Sequence, residues 1–350
     1  MTLDDLTKTT GEWLRGVGPM SDIVISSRIR LARNLADQPF LSTASTTERT
    51  EIYHAVAGAF ADTPPGKDAM LIDVEHADAV DQEVLVERHL VSRQQVNAEG
   101  SRGVTVSADE TRALMINEED HLRMQGLRSG LQLGNVWDDV DAMDDALGER
   151  LRFAFDRKLG FLTACPTNVG TGIRVSVMVH LPALKITKEI ERVARAARDM
   201  RLAVRGMLGE GTEVVGDLYQ ISNQTTLGKS ESEIIESFSE RIIPKVVEYE
   251  RTARDSLVRH SPSHLDDKLW RAYGVLSNAR RITNEETQAL FSAIRMGIHL
   301  ERFPVFDIAT LNELFLHTQP AHLQKRHGRA LSDDECDIVR AEYLRARLAG

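Results

Sequence analysis

The stretch that decides the fold runs from Asp22 to Arg33 and reads DIVISSRIRLAR. Ile23 and Ile25 alternate with their neighbours in the period-2 pattern of a half-buried strand. The same alternation places Arg28 and Arg30 together on one face, because successive side chains of a strand point to opposite sides. The stretch therefore predicts a strand in a sheet that has one apolar face and one charged face.

The region after this strand is rich in further strands. A helix is predicted around Thr46 to Ala61. Short strands are predicted after it at Met70 to Val74, Val84 to Leu90, Gly103 to Ser107 and Ala113 to Asn117. A long amphipathic helix is then predicted from Val136 to Phe155, with Gly160 as a stop signal.

A second strand with one charged face is predicted at RVSVMVHL, from Arg174 to Leu181. Val175 and Val177 share one face of it, and Arg174 and Ser176 share the other. One face is then available for a core and the other for chemistry.

The last third of the chain is predicted to be helical. Lys188 to Leu208 has a helical pattern and leads into the glycine-rich stretch GMLGEGTEVVG, which favours a loop. A helix is expected near Ser230, where an S-x-x-E capping box begins, and Pro244 must kink or restart it. Further helices are predicted at Leu265 to Ala279, Glu285 to Leu300, Thr310 to Leu316 and Ser332 to Leu348.

Composition excludes several classes of function. The 350 residues carry 43 Lys and Arg against 53 Asp and Glu, a formal net charge of −10, which argues against broad nucleic-acid binding. The two cysteines, Cys165 and Cys336, form neither a disulfide framework nor a zinc motif, so a reducing cytoplasm is expected. No run reaches the roughly 18 apolar residues of a membrane span, and no export signal is expected at the N-terminus.

The common nucleotide-binding motifs are absent. Gly228 to Ser230 resembles the end of a P-loop, but Asn223 stands where its first glycine belongs and no strand is predicted to feed the turn. Gly170 to Gly172 is only a fragment of a dinucleotide fingerprint. A phosphate-handling protein of this sequence would need another device, and bidentate arginines are one such device.

The candidate functional residues are each ambiguous when taken alone. Arginines in strands and loops are usually ordinary surface residues. In NEEDHLR, Asn117 to Arg123, an extended backbone would point Glu119, His121 and Arg123 the same way, whereas the alternative is a solvated polar turn. Taken alone, Cys165 is more typical of a buried inert thiol than of a reactive thiolate. Glu210, in a glycine-rich loop, is typical of a solvated acidic residue, and His89 is ambiguous.

Five motifs taken together resolve this ambiguity. In order along the chain they read SSRIRLARN, NEEDHLRMQ, GFLTACPTNVGTGIR, RGMLGEG and DLYQISNQTTLG. In this order they closely resemble the catalytic domain of the ATP:guanidino phosphotransferases, the family of arginine and creatine kinases, over roughly Ser21 to Glu250. The resemblance implies an α+β catalytic domain with a mainly antiparallel sheet flanked by helices.

Within that family the sequence is most similar to the bacterial kinases that phosphorylate arginine in proteins. Kinases of free arginine or creatine carry a long helical domain before the SSRIR-like strand, but here Arg28 lies almost at the chain start, and a helical domain follows the catalytic one. The resemblance implies a lead at 1–20, a catalytic domain at 21–258 and a helical C-terminal domain at 259–350.

The resemblance assigns roles to the candidate residues. Glu119 and Glu210 match the two carboxylates that bind the guanidino substrate, and Cys165 matches the active-site cysteine. The residues expected around ATP are Ser26, Ser27, Arg28, Ile29, Arg30, His89, Arg123, Arg174, Val175, Ser176, Val177, Met178, Arg205, Gly206, Met207, Leu208, Gly209 and Glu210. Val175 to Met178 and Gly206 to Gly209 are expected to contribute backbone.

The implied reaction explains these residue types. A guanidinium is protonated at neutral pH and must lose a proton as its nitrogen attacks phosphorus, so two carboxylates can orient it and accept that proton. Phosphoryl transfer needs alignment and charge neutralisation, which Mg²⁺ and arginines supply. ATP and Mg²⁺ are therefore the expected cofactors, and no protein metal site is predicted.

The resemblance also implies partners and regulation. The expected substrates are proteins with accessible arginines, such as stress regulators or damaged proteins marked for a Clp protease, and an activator protein and a homodimer are expected. Neither nucleic acid nor membrane is an expected partner. Proteins of this type bind phosphoarginine through an Arg-Asp-x-x-Arg-Ala motif, and here Asp337 and Arg340 are retained whereas Cys336 replaces the first arginine.

Two rival functions remain at this point. One is a kinase of free arginine, which efficient phosphorylation of the free amino acid would reveal. The other is a catalytically silent adaptor that binds phosphoarginine or a protease partner. Retention of the carboxylates, the cysteine and the arginines speaks against the adaptor.

Overall fold

The computed structural model describes residues 3–206, 215–303 and 307–348. Its strands are Val24–Arg33 (β1), Ala69–Asp73 (β2), Gly103–Ser107 (β3), Arg112–Ile116 (β4), Leu122–Ser129 (β5), Phe155–Asp156 (β6), Gly160–Phe161 (β7), Ile173–His180 (β8), Leu202–Gly206 (β9) and Leu218–Asn223 (β10).

The helices surround the strands and then occupy the C-terminal third. They are Leu3–Leu6 (α1), Thr46–Ala61 (α2), Pro64–Lys67 (α3), Ala79–Glu87 (α4), Arg93–Asn97 (α5), Leu133–Gly148 (α6), Pro182–Ile186 (α7), Ile190–Asp199 (α8), Glu231–Glu236 (α9), Ile243–His260 (α10), Pro262–Asn278 (α11), Asn284–His299 (α12), Ile308–His317 (α13), Pro320–His327 (α14) and Asp333–Leu348 (α15). Short 3-10 turns lie at Glu12–Leu14 and Pro166–Asn168, and a π-helical turn spans Ser237–Ile242.

An eight-stranded antiparallel sheet forms the centre of the molecule, in the order β2-β3-β4-β5-β1-β8-β10-β9. The small β6-β7 hairpin stands apart from it. Strand β1 lies between β5 and β8. The predicted fold class, a mainly antiparallel sheet flanked by helices with a helical C-terminal region, is confirmed.

One face of the sheet is buried under helices. Helix α6 packs on β1 and β5, and its approach is so close at Gly126 that a Cβ there would lie 2.7 Å from a methyl group of Val140. Glycine is needed because any side chain would push the helix off the sheet. Ile29 and Val175 are fully buried on this face.

Several predicted elements are confirmed, and their ends are well explained by local chemistry. Helix α2 has the predicted limits, with a capping box at Ser45. The capping box at Ser230 is also present. Pro244 lies in the first turn of α10, directly after the π-helical turn Ser237–Ile242, where a proline disrupts the regular bonding of a continuous helix. The helical pattern of the last third is confirmed, with α14 as an additional helix.

Three predicted elements differ from the structure, one in type and two in extent. The segment predicted as a strand from Val84 to Leu90 lies largely in helix α4, because Val84, Leu85 and Val86 form a continuous apolar run that both structures accommodate. The predicted helix from Lys188 to Leu208 stops at Asp199, and β9 follows. Helix α6 ends at Gly148, before the β6-β7 hairpin that contains Phe155.

The described helices include none that is long and apolar enough to cross a membrane.

Candidate active site

The second face of the sheet carries the predicted arginines. Register pairs Arg28 with Ser176, and Arg30 with Arg174, across β1 and β8. On the other side of β1, Ala32 is opposite Arg123 of β5. Arg205 of β9 is opposite Gln220 of β10. Side chains of one parity on four strands thus bring all five predicted arginines to the same side of the sheet.

These arginines form the floor of a cleft of about 350 Å³. Its walls come from the end of α4 and the start of α5, the turn between β4 and β5, and the turn that contains Cys165. The predicted site residues that line it are Arg28, Arg30, His89, Glu119, Arg123, Cys165, Arg174 and Arg205. Ser26, Ser176 and Met178 line a narrow recess that shares Arg28 and His89 with the cleft. Residues far apart in sequence therefore meet in one place.

Other predicted site residues lie elsewhere. The side chains of Ile29, Val175 and Val177 are buried in the core on the opposite face, so only their main chain is available to a nucleotide. Ser27 is fully buried, and its hydroxyl donates to the carbonyl of Gly130. Gly206 is buried at the end of β9. Met207, Leu208, Gly209 and Glu210 lie outside the described residues.

The predicted phosphoarginine residues lie in the C-terminal helices, away from the cleft lining. Arg340 of α15 is buried and donates to the carbonyls of Thr318 and Ile282 and to the Asp337 carboxylate, at 2.8 to 2.9 Å. Arg281 also pairs with Asp337. The neighbouring Cys336 is buried.

The clustered positive charges of the cleft floor attract anions. Burial and the neighbouring Arg174 and Arg123 lower the pKa of Arg28 to about 10. Burial, together with the charges of Arg28, Arg123 and Arg174, places the pKa of Arg30 well below its ordinary value. The Nε atom of Arg30 is buried and has no hydrogen-bond partner among the described residues. Clustered cations with an unused donor favour a multiply charged anion such as a phosphate chain.

The opposite end of the cleft is acidic. Arg123 pairs with Glu118 at 2.7 Å and with Glu119 at 3.0 Å. Burial raises the pKa of Glu119, and the positive charge of Arg123 opposes that rise without cancelling it. A carboxylate with a raised pKa is a better proton acceptor, so Glu119 suits a general base.

His121 does not face the cleft with Glu119 and Arg123, so the extended-backbone interpretation is wrong. The chain turns back between β4 and β5, where the N–H of Asn117 donates to the carbonyl of His121. His121 is fully buried, and its ring bonds the N–H of Leu35 and the carbonyl of Pro39. The turn breaks the two-residue alternation on which the prediction rested.

Cys165 is half-buried at the cleft wall. Its Sγ lies 3.0 Å from the hydroxyl oxygen of Thr167. Asp120, in the turn that carries Glu119, accepts from the N–H of Ala164 at 2.7 Å and from the side-chain amide of Asn34 at 2.6 Å. Asp120 therefore fixes the Cys165 turn relative to the Glu119 turn and to the end of β1.

His89 stands at the other wall with a φ of +60°. Burial, together with the charge of Arg28, lowers the pKa of His89 to about 3, so the ring is neutral at physiological pH. Its carbonyl accepts from Gln125 of the cleft floor at 2.8 Å, and its ring packs edge-on against Trp13 at 4.7 Å.

Some cleft residues had no role in the sequence prediction. Glu118 is buried, pairs with Arg123 and accepts from the Ser92 hydroxyl at 2.5 Å. Gln220 accepts from Arg28 at 2.5 Å. Gln220 could have been found, because in DLYQISN it alternates with Tyr219 and Ile221, which are buried. The role of Glu118 could not have been found in this way, since the orientation of its side chain depends on the turn between β4 and β5.

The rejection of the P-loop needs one correction. Strand β10 does precede Gly228 to Ser230, contrary to the prediction. The segment still lies outside the cleft, and the Ser230 hydroxyl is engaged in the cap of α9 with Glu233. This turn therefore holds a helix start.

Comparison with known families agrees with the geometry. The family model "ATP:guanido phosphotransferase, C-terminal catalytic domain" matches residues 51–253, and a curated relative is 46% identical over 98% of this chain. The chain belongs to the ATP:guanido phosphotransferase family, in its protein-arginine kinase branch. A second model, "Protein-arginine kinase McsB C-terminal domain", matches residues 262–350.

Two curated relatives show the extent of this kinship. "Protein-arginine kinase" of Symbiobacterium thermophilum is 46% identical over 347 residues, which cover 98% of each chain. The protein of the same name from Bacillus subtilis is 43% identical over 338 residues, 96% of this chain and 93% of the relative. The family resemblance inferred from the five motifs is confirmed, and this guanidino kinase is an ATP-dependent phosphotransferase.

Solved structures of guanidino kinases share the fold. The duplicated taurocyamine kinase from Schistosoma mansoni has a TM-score of 0.62 at 25% identity, over 72% of this chain and 36% of that one. Lombricine kinase has a TM-score of 0.58 at 25% identity, over 71% and 70% of the two chains.

Proposed function

We propose that this chain transfers the γ-phosphate of ATP to arginine side chains of proteins. The observation that carries the proposal is the cleft, in which a floor of half-buried arginines ends at an acidic turn. This matches the two reactants in charge, because a phosphate chain is anionic and a guanidinium is cationic. Full-length similarity to protein-arginine kinases supports a protein as the acceptor.

In this proposal the arginines hold the phosphate chain of ATP. Arg28, Arg30 and Arg174 come from adjacent strands, so their spacing is fixed by the sheet rather than by mobile loops. Rigid donors need no rearrangement as negative charge shifts during transfer, which is what electrostatic catalysis requires. Ser26, Ser176, Met178 and His89 line the narrow recess at one end, and we assign the nucleoside to this side of the cleft.

The acceptor arginine enters at the acidic end. A guanidinium nitrogen attacks the γ-phosphorus, a P–N bond forms, and the bond from the γ-phosphorus to the bridging oxygen breaks, leaving its electron pair on ADP. The guanidinium loses one proton, which Glu119 accepts. We assign a second carboxylate role to Glu210 and a contact with the guanidinium to Cys165, because both match the family's motifs.

Mg²⁺ is proposed to enter with ATP. Within the described chain, a group of side chains spaced for a metal ion occurs at Asp73, Glu75 and His76. These residues do not line the cleft. The cleft carboxylates Glu118 and Glu119 are engaged with Arg123. With the cleft carboxylates paired in this way, the ion would be coordinated mainly by phosphate oxygens and water, which is how Mg²⁺ commonly binds. The ion would neutralise phosphate charge.

Several wider expectations are part of the proposal. They are a catalytic domain at 21–258 and a dimerising helical domain at 259–350, a cytoplasmic location, an activator protein, and delivery of the marked proteins to a Clp protease. Phosphoarginine recognition by Asp337 and Arg340 is a further one. Arg340 is already satisfied by protein carbonyls, so phosphoarginine would have to replace some of those bonds.

The test is to incubate the purified protein with ATP and Mg²⁺, in parallel with free arginine and with an unstructured arginine-rich protein. Phosphoarginine is then detected by mass spectrometry under conditions that preserve the acid-labile P–N bond. We expect phosphate on protein arginines and little on the free amino acid. Efficient phosphorylation of free arginine alone would make the chain a phosphagen kinase, and nucleotide binding without transfer to either acceptor would support the adaptor function.

A further inference from the structure

Three consecutive residues at the end of α4 face three different environments. Glu87 contacts helix α14, Arg88 enters a buried ion pair with Glu110, and His89 lines the cleft. The end of α4 is therefore a direct connection between the C-terminal helices and the nucleotide end of the cleft.

The backbone at this point is fixed in an unusual conformation. The N–H of Leu90 donates to the carbonyl of Leu85, and the N–H of His89 to that of Val86. This is the Schellman arrangement, which requires a left-handed residue and usually takes glycine. Here His89 occupies it, with a φ of +60°. A side chain at this position is strained, so its surroundings must hold it.

Helix α14 supplies one of those constraints through Glu87. The Glu87 carboxylate accepts from the N–H groups of Ala321 and His322, at 2.8 and 3.1 Å. It also lies 2.7 Å from Nδ1 of His322. The N-cap residue of α14, Gln319, makes no side-chain cap bond, so a carboxylate from another part of the chain caps this helix and complements its dipole.

The contact continues to Arg88. Nη1 of Arg88 lies 3.3 Å from Nε2 of His322. A guanidinium only donates, so Nε2 must accept and Nδ1–H must donate to Glu87. His322 therefore bridges two consecutive residues of α4, and all of its ring nitrogens are satisfied. Its side chain is 2% exposed and that of Glu87 is 10% exposed, so water competes little for these bonds.

The space behind His89 is not close-packed. A cavity of about 160 Å³ lies between the end of α4 and helices α12 to α14, and His89, Glu87 and Ala321 are among the residues that line it. The ring of His89 is held there by Trp13, which in turn packs on Phe315 of α13 at 6.4 Å. With a cavity at its back, His89 depends on these contacts for its position.

We infer that Glu87 and His322 are positioning residues, which hold His89 against bound ATP by clamping the end of α4 to helix α14. The inference rests on the proposed function, because it takes His89 as a nucleotide contact. On this inference, the affinity of the catalytic cleft for ATP depends on helix α14 of the C-terminal region.

The test is to measure the dissociation constant of ATP by calorimetry, and the KM values for ATP and protein substrate, for Glu87→Ala and His322→Ala in the full-length protein. Each variant should weaken ATP binding by about 3- to 10-fold, with the KM for protein substrate unchanged. The double variant should bind ATP no more weakly than the more strongly affected single variant, since both changes remove one shared contact. Glu87→Gln, which keeps an oxygen acceptor, should restore part of the affinity.

Asp81→Asn is the matched control. Asp81 also joins α4 to α14, through Lys325 at 2.6 Å, but it does not touch the end of α4. It should leave ATP affinity unchanged. Equal weakening by Asp81→Asn would show that general docking of the helices matters and would overturn the inference. The inference would also be overturned if Glu87→Ala lowered the melting temperature but kept the wild-type affinity for ATP. Failure of the wild-type protein to phosphorylate proteins would instead contradict the proposed function, since ATP binding is measured separately.

Discussion

The helix-covered face of the sheet and the face that floors the cleft are made by alternating residues of the same strands. Ile29 lies buried between Arg28 and Arg30, and Val175 lies between Arg174 and Ser176. On the first face, burial removes apolar surface from water and stabilises the fold. On the second, burial and mutual repulsion lower the pKa values of arginines and so oppose folding. The apolar face thus stabilises a fold that holds the arginines together, and under the proposed function a bound phosphate chain would offset their mutual repulsion.

The largest expected effect is on the chemistry at the acidic end of the cleft. Glu119→Gln removes the proton acceptor while keeping the shape of the side chain. We expect kcat to fall by about 10²- to 10⁴-fold, the range for loss of a general base, with little change in ATP affinity.

The control for this prediction is Glu99→Gln, which changes an exposed carboxylate outside the cleft. It should keep wild-type kcat. The measurement is kcat of both variants and of the wild-type protein, from steady-state kinetics on an unstructured protein substrate, with circular dichroism to verify folding. Wild-type turnover in Glu119→Gln would remove Glu119 from the mechanism.

The next effect compares neighbours on opposite faces. Ile29→Ala should lower the free energy of unfolding by about 2–4 kcal/mol, because it leaves a cavity in the core. Arg30→Met should leave that free energy unchanged or raise it by about 1 kcal/mol, since it removes a buried repulsive charge. Urea denaturation without nucleotide measures both. A large loss of stability in Arg30→Met would mean that the arginine face supports the fold.

A smaller effect is expected from pH, through two histidines near the C-terminal helices, the buried His180 and the half-buried His299. Burial and nearby arginines place the pKa of His180 well below its ordinary value and lower that of His299 to about 4. These groups bind protons more readily when unfolded, so their contribution to stability is complete above about pH 6.5 and is lost as the pH falls toward 4. The urea midpoint should therefore decrease from pH 7.5 to pH 5.

His299→Gln is the matching variant, because it removes one of these titrating groups. It should lose less stability than the wild-type protein over the same pH interval. An identical pH dependence in the two proteins would show that His299 does not contribute.

The smallest effect is at the turn that resembles a P-loop. Ser230→Ala removes the cap of α9 and should lower the free energy of unfolding by about 1 kcal/mol. The KM for ATP should stay unchanged, because Ser230 lies outside the cleft. A raised KM for ATP with unchanged stability would revive the P-loop interpretation.

The cleft floor could be predicted from sequence because strand alternation is a local rule. Once β1 and β8 were recognised, Arg28, Arg30 and Arg174 had to lie on the face opposite Ile29 and Val175. Adjacency of the strands in the sheet, which brings in Arg123 and Arg205, came only from the family resemblance.

The cleft walls could not be predicted by the same rule. The side chain of His121 does not line the cleft, because a tight turn between β4 and β5 ends the alternation of side chains along the strand. The apolar run at the end of α4 favours a strand, and the left-handed residue that ends the helix is His89 rather than the glycine that would signal a helix end. The pattern does not predict helix α14, although Pro320 in its first turn and Gly328 after its last turn are local helix signals. The carboxylate that caps its start comes from Glu87, more than 230 residues earlier in the chain, and a contact at that distance has no local signal.

The most direct test of the account is to measure the dissociation constants of ATP and AMP for the wild-type protein and for Arg30→Met. If the arginine face binds the phosphate chain, the variant should lose at least about tenfold in ATP affinity, as expected for charged hydrogen bonds, and much less in AMP affinity. Equal losses for the two nucleotides, or no loss for either, would contradict the assignment of the arginine cleft to the phosphates of ATP.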